Sequence, residues 1–158
     1  MRNTIFMIHG MMVGPWCWDN YRKFFEKKGY RCISPALRFH DMDPTGLPDP
    51  RLGTTSLLEY AADLEAEITG FQERPIVMGH SMGGLLAQIL AGRGHAKAAV
   101  LLTPAAPAGI NALSYTVLKS FSGIMLNWAF WNKPFRFSFA KAVYSCLHLM
   151  PVEEQKKV

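Results

Sequence analysis

Pro75-Ile-Val-Met-Gly-His-Ser-Met-Gly-Gly-Leu-Leu-Ala-Gln-Ile-Leu90 is the stretch on which the fold turns. Pro75 punctuates a short apolar run, Ile76 to Met78, that reads as a buried strand. Gly79-His80-Ser81-Met82-Gly83 follows, and a helical apolar pattern begins at Leu85. A serine in G-x-S-x-G between a strand and a helix is a nucleophile elbow. Such a turn holds its serine in a strained backbone geometry that only small neighbours permit, which is the use of Gly79 and Gly83. The Ser81 hydroxyl is then expected at the carboxyl end of a sheet. The next helix aims its free N–H groups and positive dipole end at the same place.

Upstream, Thr4 to Ile8 is a continuous run of large or β-branched apolar residues, the pattern of a strand covered on both faces. His9-Gly10-Met11-Met12-Val13-Gly14 turns after it. Pro15 suits the first turn of a helix in which Trp18, Tyr21, Phe24 and Phe25 share one face, and Gly29 is its stop. Tyr30 to Ser34 reads as a second strand, ended by Pro35. Residues 36–53, rich in proline, form a loop long enough for a functional role. Ser56-Leu-Leu-Glu59 is a capping box, opening a helix with apolar Leu57, Ala61, Leu64, Ile68 and Phe71. Downstream of the elbow, Gly92 and Gly94 end its helix. Ala98 to Leu102 is a fourth strand, closed by Pro104 and Pro107. Strands alternating with helices predict an α/β fold, a parallel right-handed doubly wound sheet of about four strands. Residues 1–109 make this core. Residues 110–158, rich in Phe, Trp, Met and Leu and divided by Pro134, predict two or three short helices. Their spacing is that of ordinary core helices, and their place after a strand's carboxyl end is that of a lid.

Composition narrows the function. The 158 residues suit one domain and carry a formal charge of +5. Residues 1–109 hold eleven Lys/Arg against ten Asp/Glu, and residues 110–158 six against two. No basic run or aromatic-basic stripe marks a nucleic-acid face. No apolar run is long enough to span a bilayer, and no signal peptide is read at the amino terminus. The basic, aromatic 113–150 segment leaves membrane-surface association as a minor reading. Cys17, Cys32 and Cys146 are odd in number and lack metal-type spacing, which suits reduced thiols in a cytoplasmic protein.

His9-Gly10 after the first strand, Trp16 and Trp18 opening the next helix, Gly79-His80-Ser81-Met82-Gly83-Gly84, and Leu101-Leu-Thr-Pro-Ala-Ala-Pro107 together resemble the α/β-hydrolase fold. Residues 3 to 109 carry the likeness; 110 to 158 resemble the start of a helical cap. The pattern is most similar to serine esterases and lipases. The resemblance implies Ser81 as nucleophile, attacking an ester carbonyl to form an acyl-enzyme. It implies the backbone N–H groups of Met82 and Met11 as the oxyanion hole. Gly10, Trp16, His80 and Pro104 are expected to line the site, and His9 and His80 to support loop and elbow. The apolar cap implies a small hydrophobic ester as substrate. Neither a metal nor an organic cofactor is implied.

The family's order is nucleophile, then acid, then histidine. After Ser81 the sequence offers only His95, His148, Glu153 and Glu154. His95 reads as a surface residue and His148 sits in an apolar helix-like run. Asp41, Asp43 and His40 read as loop residues. Three expectations stay open: a piece of a longer hydrolase, a chain completed by a second one, or a catalytically inactive binding or interaction module. If strand order follows the family, Ala98–Leu102 is an uncharged edge, and the isolated chain is expected to self-associate there.

Overall fold

Four apolar runs form the sheet: β1 (Thr4–Ile8), β2 (Arg31–Ile33), β3 (Ile76–His80) and β4 (Ala98–Leu102). They are described in a computed structural model covering residues 3–43, 46–126 and 128–156. Pro44 and Thr45, part of the loop expected over 36–53, lie outside the described residues, as does the chain end at 157–158. The strands pair in parallel in the order β2-β1-β3-β4, with Ile5 opposite both Cys32 and Ile76. This is the expected four-stranded part of an α/β-hydrolase sheet.

Side chains alternate across a strand, so β1 feeds two cores. Phe6 and Ile8 join Val77 on one face. There α2 (Leu57–Thr69) and α3 (Met82–Gly92) cover them with Ala61, Leu64, Ile68, Leu86 and Leu90, all buried. Ile5, Met7 and Met78 fill the other face against Trp18 and Phe25, from the 3-10 turn Pro15–Trp18 and α1 (Asp19–Lys27). Each such side chain, fully removed from water, contributes about 1.5–3 kcal/mol. α2 begins as its sequence requires: Ser56 Oγ accepts from Glu59 N–H, and the Glu59 carboxylate accepts from Ser56 N–H at 2.8 Å.

The shared apolar face expected for α1 is only half realised. Trp18 is buried, but Tyr21 and Phe24 are 44% and 57% exposed. Among the described residues α1 is the helix that covers this face beside β2, and its outer aromatics pack on one another, Phe24 edge-on to Phe25 at 5.2 Å.

β4 pairs only with β3 among the described residues. Beyond it come α4 (Tyr115–Met125), a 3-10 turn Phe130–Asn132, α5 (Phe139–Ala142) running into a π turn Val143–Leu147, and α6 (Val152–Gln155). Ser114 and Ser138 cap α4 and α5. No residue of α4 is buried. The core-helix reading of this segment is therefore corrected: no described layer closes over its outer side. It meets the 36–53 loop closely. A Cβ on Gly53 would lie 2.5 Å from the Asn132 carbonyl oxygen, and the Arg136 guanidinium donates to Gly46 C=O.

Candidate active site

The order of the sheet reverses between β1 and β3, since β1 leads outward to β2 and β3 leads outward to β4. A crevice opens at the carboxyl ends of strands at such a switch point. His9-Gly10 leaves β1 there and Ser81 leaves β3.

Ser81 has φ 54° and ψ −119°, a region that costs a non-glycine residue about 1–3 kcal/mol. The surroundings over-determine it. Ser81 N–H donates to Leu102 C=O at 3.1 Å, and Ser81 C=O accepts from Gly84, Leu85 and Ala105 N–H. The glycines are dictated by contact: a Cβ on Gly79 would lie 2.1 Å from Gly83 C=O, and one on Gly83 would lie 2.2 Å from Ile8 C=O. The first turn of α3 thus rests directly on the backbone of β1 and β3. Met82 opens α3, partly buried against its core. Gly84 leaves room for Pro104, whose Cβ would be 2.8 Å from a Cβ there.

The turn after β1 lies against this elbow. A Cβ on Gly10 would be 3.3 Å from both Ser81 Cβ and His80 Nδ1. His80 is exposed at the end of β3, and partial desolvation lowers its pKa. His9 is wholly buried. Its Nε2 accepts from Leu37 N–H at 3.1 Å, which assigns the ring proton to Nδ1, the donor to Gly10 C=O at 2.8 Å. Burial pushes the His9 pKa down to about 4, partly opposed by the bond to Gly10, with a further lowering from His40. His9 therefore stays a neutral brace near pH 7. A planar trans peptide points its N–H opposite its C=O, so this bond also sets the direction of Met11 N–H.

Met11 is 40% exposed and forms one wall of an apolar cleft of about 290 Å³ shared with Val117, Leu118, Phe121, Ile124 and Phe130 of the segment after β4 expected to be a cap. Trp16 lies further along the turn. Its ring rests on Gly14, where a Cβ would be 2.9 Å from its Nε1. By sequence His40 is a loop residue with no marked role. Its Nε2 instead donates to Met11 C=O at 2.9 Å. No local pattern announces this bond, because its partners are 29 residues apart.

No described residue makes a hydrogen bond to Ser81 Oγ. His95 follows the carboxyl end of α3, whose 11 residues put it about 16 Å from the elbow at 1.5 Å per residue. His148 is exposed beyond the π turn. Glu153 pairs with Lys156 and Glu154 is exposed on α6. Asp41 and Asp43 are exposed. All three cysteines are unpaired, and burial raises their pKa values, to about 11 at Cys17, which keeps the thiols protonated. Among the described residues, no three His, Cys, Asp or Glu side chains gather as a metal-ligand set, and no helix is long and apolar enough to cross a membrane.

The alpha/beta hydrolase family model matches residues 5–151. The chain belongs to the α/β-hydrolase family. It is 26% identical over 129 residues to Methylesterase 8 of Arabidopsis thaliana, covering 79% of itself and 46% of that relative. It is 31% identical over 81 residues to Methylesterase 17 of the same plant, covering 50% of itself and 28% of that protein. It thus spans less than half the length of these curated relatives. An extracellular alpha/beta-hydrolase from a Paenibacillus species, described as sharing structural and functional homology with tobacco salicylic acid binding protein 2, superposes with a TM-score of 0.76. That match covers 98% of this chain and 63% of the other at 18% identity, a likeness of fold. The family relationship supports ester hydrolysis at the level of the family.

Proposed function

We propose that this chain carries the nucleophile and the oxyanion hole of a serine-dependent carboxylic-ester hydrolase. One observation carries the reading: Ser81 sits at φ 54°, ψ −119° at the switch point, braced from β3, β4 and the β1 turn. Ser81 Oγ adds to the ester carbonyl carbon as its proton leaves to a base. The resulting oxyanion accepts hydrogen bonds from Met82 N–H and Met11 N–H. Collapse of the tetrahedral adduct expels the alcohol and leaves an acyl-serine, which water hydrolyses. The cleft beside Met11 favours a small hydrophobic ester, and the methylesterase relatives favour a small alcohol as leaving group. The chemistry calls for neither metal nor organic cofactor. We assign the base and acid to a segment outside these 158 residues, because no imidazole among the described residues bonds Ser81. The free side of β4 suits that segment. In its absence the chain self-associates there, giving a species larger than a monomer by light scattering.

Fluorophosphonate labelling with peptide mapping tests this on the chain itself. Without a base, an adduct at Ser81 is expected to form slowly. It should speed up by roughly tenfold per pH unit, as hydroxide-limited deprotonation requires, and vanish in Ser81→Ala. An oxyanion hole and binding alone leave about 10³–10⁴-fold over water in triad enzymes, enough to detect. An adduct that never forms at Ser81, even at high pH, leaves the catalytically inactive binding module as the reading.

A further inference from the structure

The turn after β1 is held at two successive carbonyls by two imidazoles from different parts of the chain. His9 Nδ1 donates to Gly10 C=O, and His40 Nε2 donates to Met11 C=O. Fixing the Gly10 carbonyl sets the peptide plane that contains Met11 N–H. Fixing the Met11 carbonyl sets the next plane, so Met11 is clamped on both sides of its Cα. We propose that His40 is a positioning residue for the oxyanion-hole amide of Met11, an inference that rests on the ester-hydrolase reading above.

His40 is itself built into place. Its N–H donates to Leu37 C=O at 2.9 Å, closing a tight turn. Leu37 N–H in the same turn binds His9, so both imidazoles are tied to one piece of backbone. Phe39, between them, has φ 64°, an unfavourable value for a residue with a bulky side chain. The Arg51 guanidinium lies 4.0 Å from the centre of its ring, and Asp49 anchors Arg51 in turn. Tyr60 of α2 stands edge-on to His40 at 5.8 Å, and the His9 ring lies at 5.1 Å. Strain held beside a turn that borders Ser81 marks a geometry maintained against local preference.

The chemistry of the ring makes the proposal testable. His40 Nδ1 is 3.1 Å from Arg38 C=O, so each ring nitrogen faces a carbonyl oxygen. A neutral imidazole has one N–H to donate and an imidazolium has two. Only forms protonated at Nε2 hold Met11. A glutamine amide at position 40 reaches the place of Nε2, whereas an asparagine amide reaches only that of Nδ1. His40→Gln should therefore keep the clamp and His40→Asn should lose it.

The experiment measures the rate of fluorophosphonate adduct formation at Ser81 in wild type, His40→Gln and His40→Asn, alongside hydrogen exchange of amides 10–12 by mass spectrometry. Complete loss of an oxyanion donor costs about 10²–10³ in rate, and a donor left loose is expected to cost roughly tenfold. His40→Asn should label about tenfold more slowly and exchange faster at 10–12, with His40→Gln within about threefold of wild type on the same scale. A thermal melt checks that both variants fold. Equal labelling in all three proteins overturns the role of His40 and leaves the hydrolase reading standing. Absent labelling in wild type overturns the hydrolase reading. Unchanged exchange at 10–12 in His40→Asn overturns the clamp whatever Ser81 does.

Discussion

The elbow and the cap are both rich in apolar residues and end in opposite states. Around the elbow, Phe6, Ile8, Val77, Leu86 and Leu90 are wholly removed from water. In the cap, Leu118 is 43%, Trp131 61% and Trp128 85% exposed. Helices cover both faces of the sheet, whereas α4 and its neighbours meet the loop 36–53 and the Met11 turn. Apolar residues become core only when a second layer exists to receive them. The elbow can therefore afford a strained serine. The cap, with no outer layer among the described residues, keeps an open apolar cleft beside Met11.

The sharpest way to break this contrast is Gly83→Ala. Its Cβ would lie 2.2 Å and 2.5 Å from the carbonyl oxygens of Ile8 and His9. A loss above about 4 kcal/mol is expected from a clash with rigid backbone. A urea midpoint within experimental error of wild type would show that α3 is not seated as tightly as described. Next comes a matched pair. Leu86→Ala should cost about 2–5 kcal/mol through its cavity, and Leu118→Ala, in the half-exposed wall of the cleft, less than about 1 kcal/mol on the same scale. Equal losses in denaturant titrations would erase the distinction between the two regions.

Acid should find the core before the cap. His9 titrates at about 4 when folded, against 6.5 for the unconstrained ring. Between those values the unfolded chain binds a proton that the folded one refuses. Stability is complete above pH 6.5 and falls as pH drops toward 4. The shift corresponds to at most about 3 kcal/mol. Urea unfolding at pH 7.5 and 4.5 should show this loss in wild type and a smaller one in His9→Asn, which has nothing to titrate. The smallest effect is at the start of α2. Ser56→Ala removes one half of the capping box and should cost about 1 kcal/mol, readable as a lowered melting temperature.

Features confined to a few neighbouring residues were legible beforehand. The capping box needs only Ser56 and Glu59, three apart, and it formed as read. The strand-elbow-helix order announced itself because Gly79 and Gly83 flank Ser81 between an apolar strand run and a helical apolar pattern. β4 took the edge position that the family's strand order implied. The exposure of Tyr21 and Phe24 was not legible, because periodicity marks a face without saying how wide the opposing layer is. Nor were the positive φ values of Phe39 and Thr103, which no glycine signalled. Arg38 was equally silent. Its pairing with Asp63 and Glu59, 25 and 21 residues away, ties the second-strand loop to α2.

Residue order and local chemistry were thus enough for the succession of strands, the strained serine and the family. Those depend on period, proline, glycine and short-range hydrogen bonds, all of which act within a turn or two of the chain. Folding in three dimensions was needed to bring Leu37 and His40 onto the turn that follows β1, and to leave the cap's aromatics uncovered. Both outcomes hang on which distant surfaces meet, and hydrogen bonds and packing across the sheet, unlike helical spacing, leave no mark in the intervals between residues.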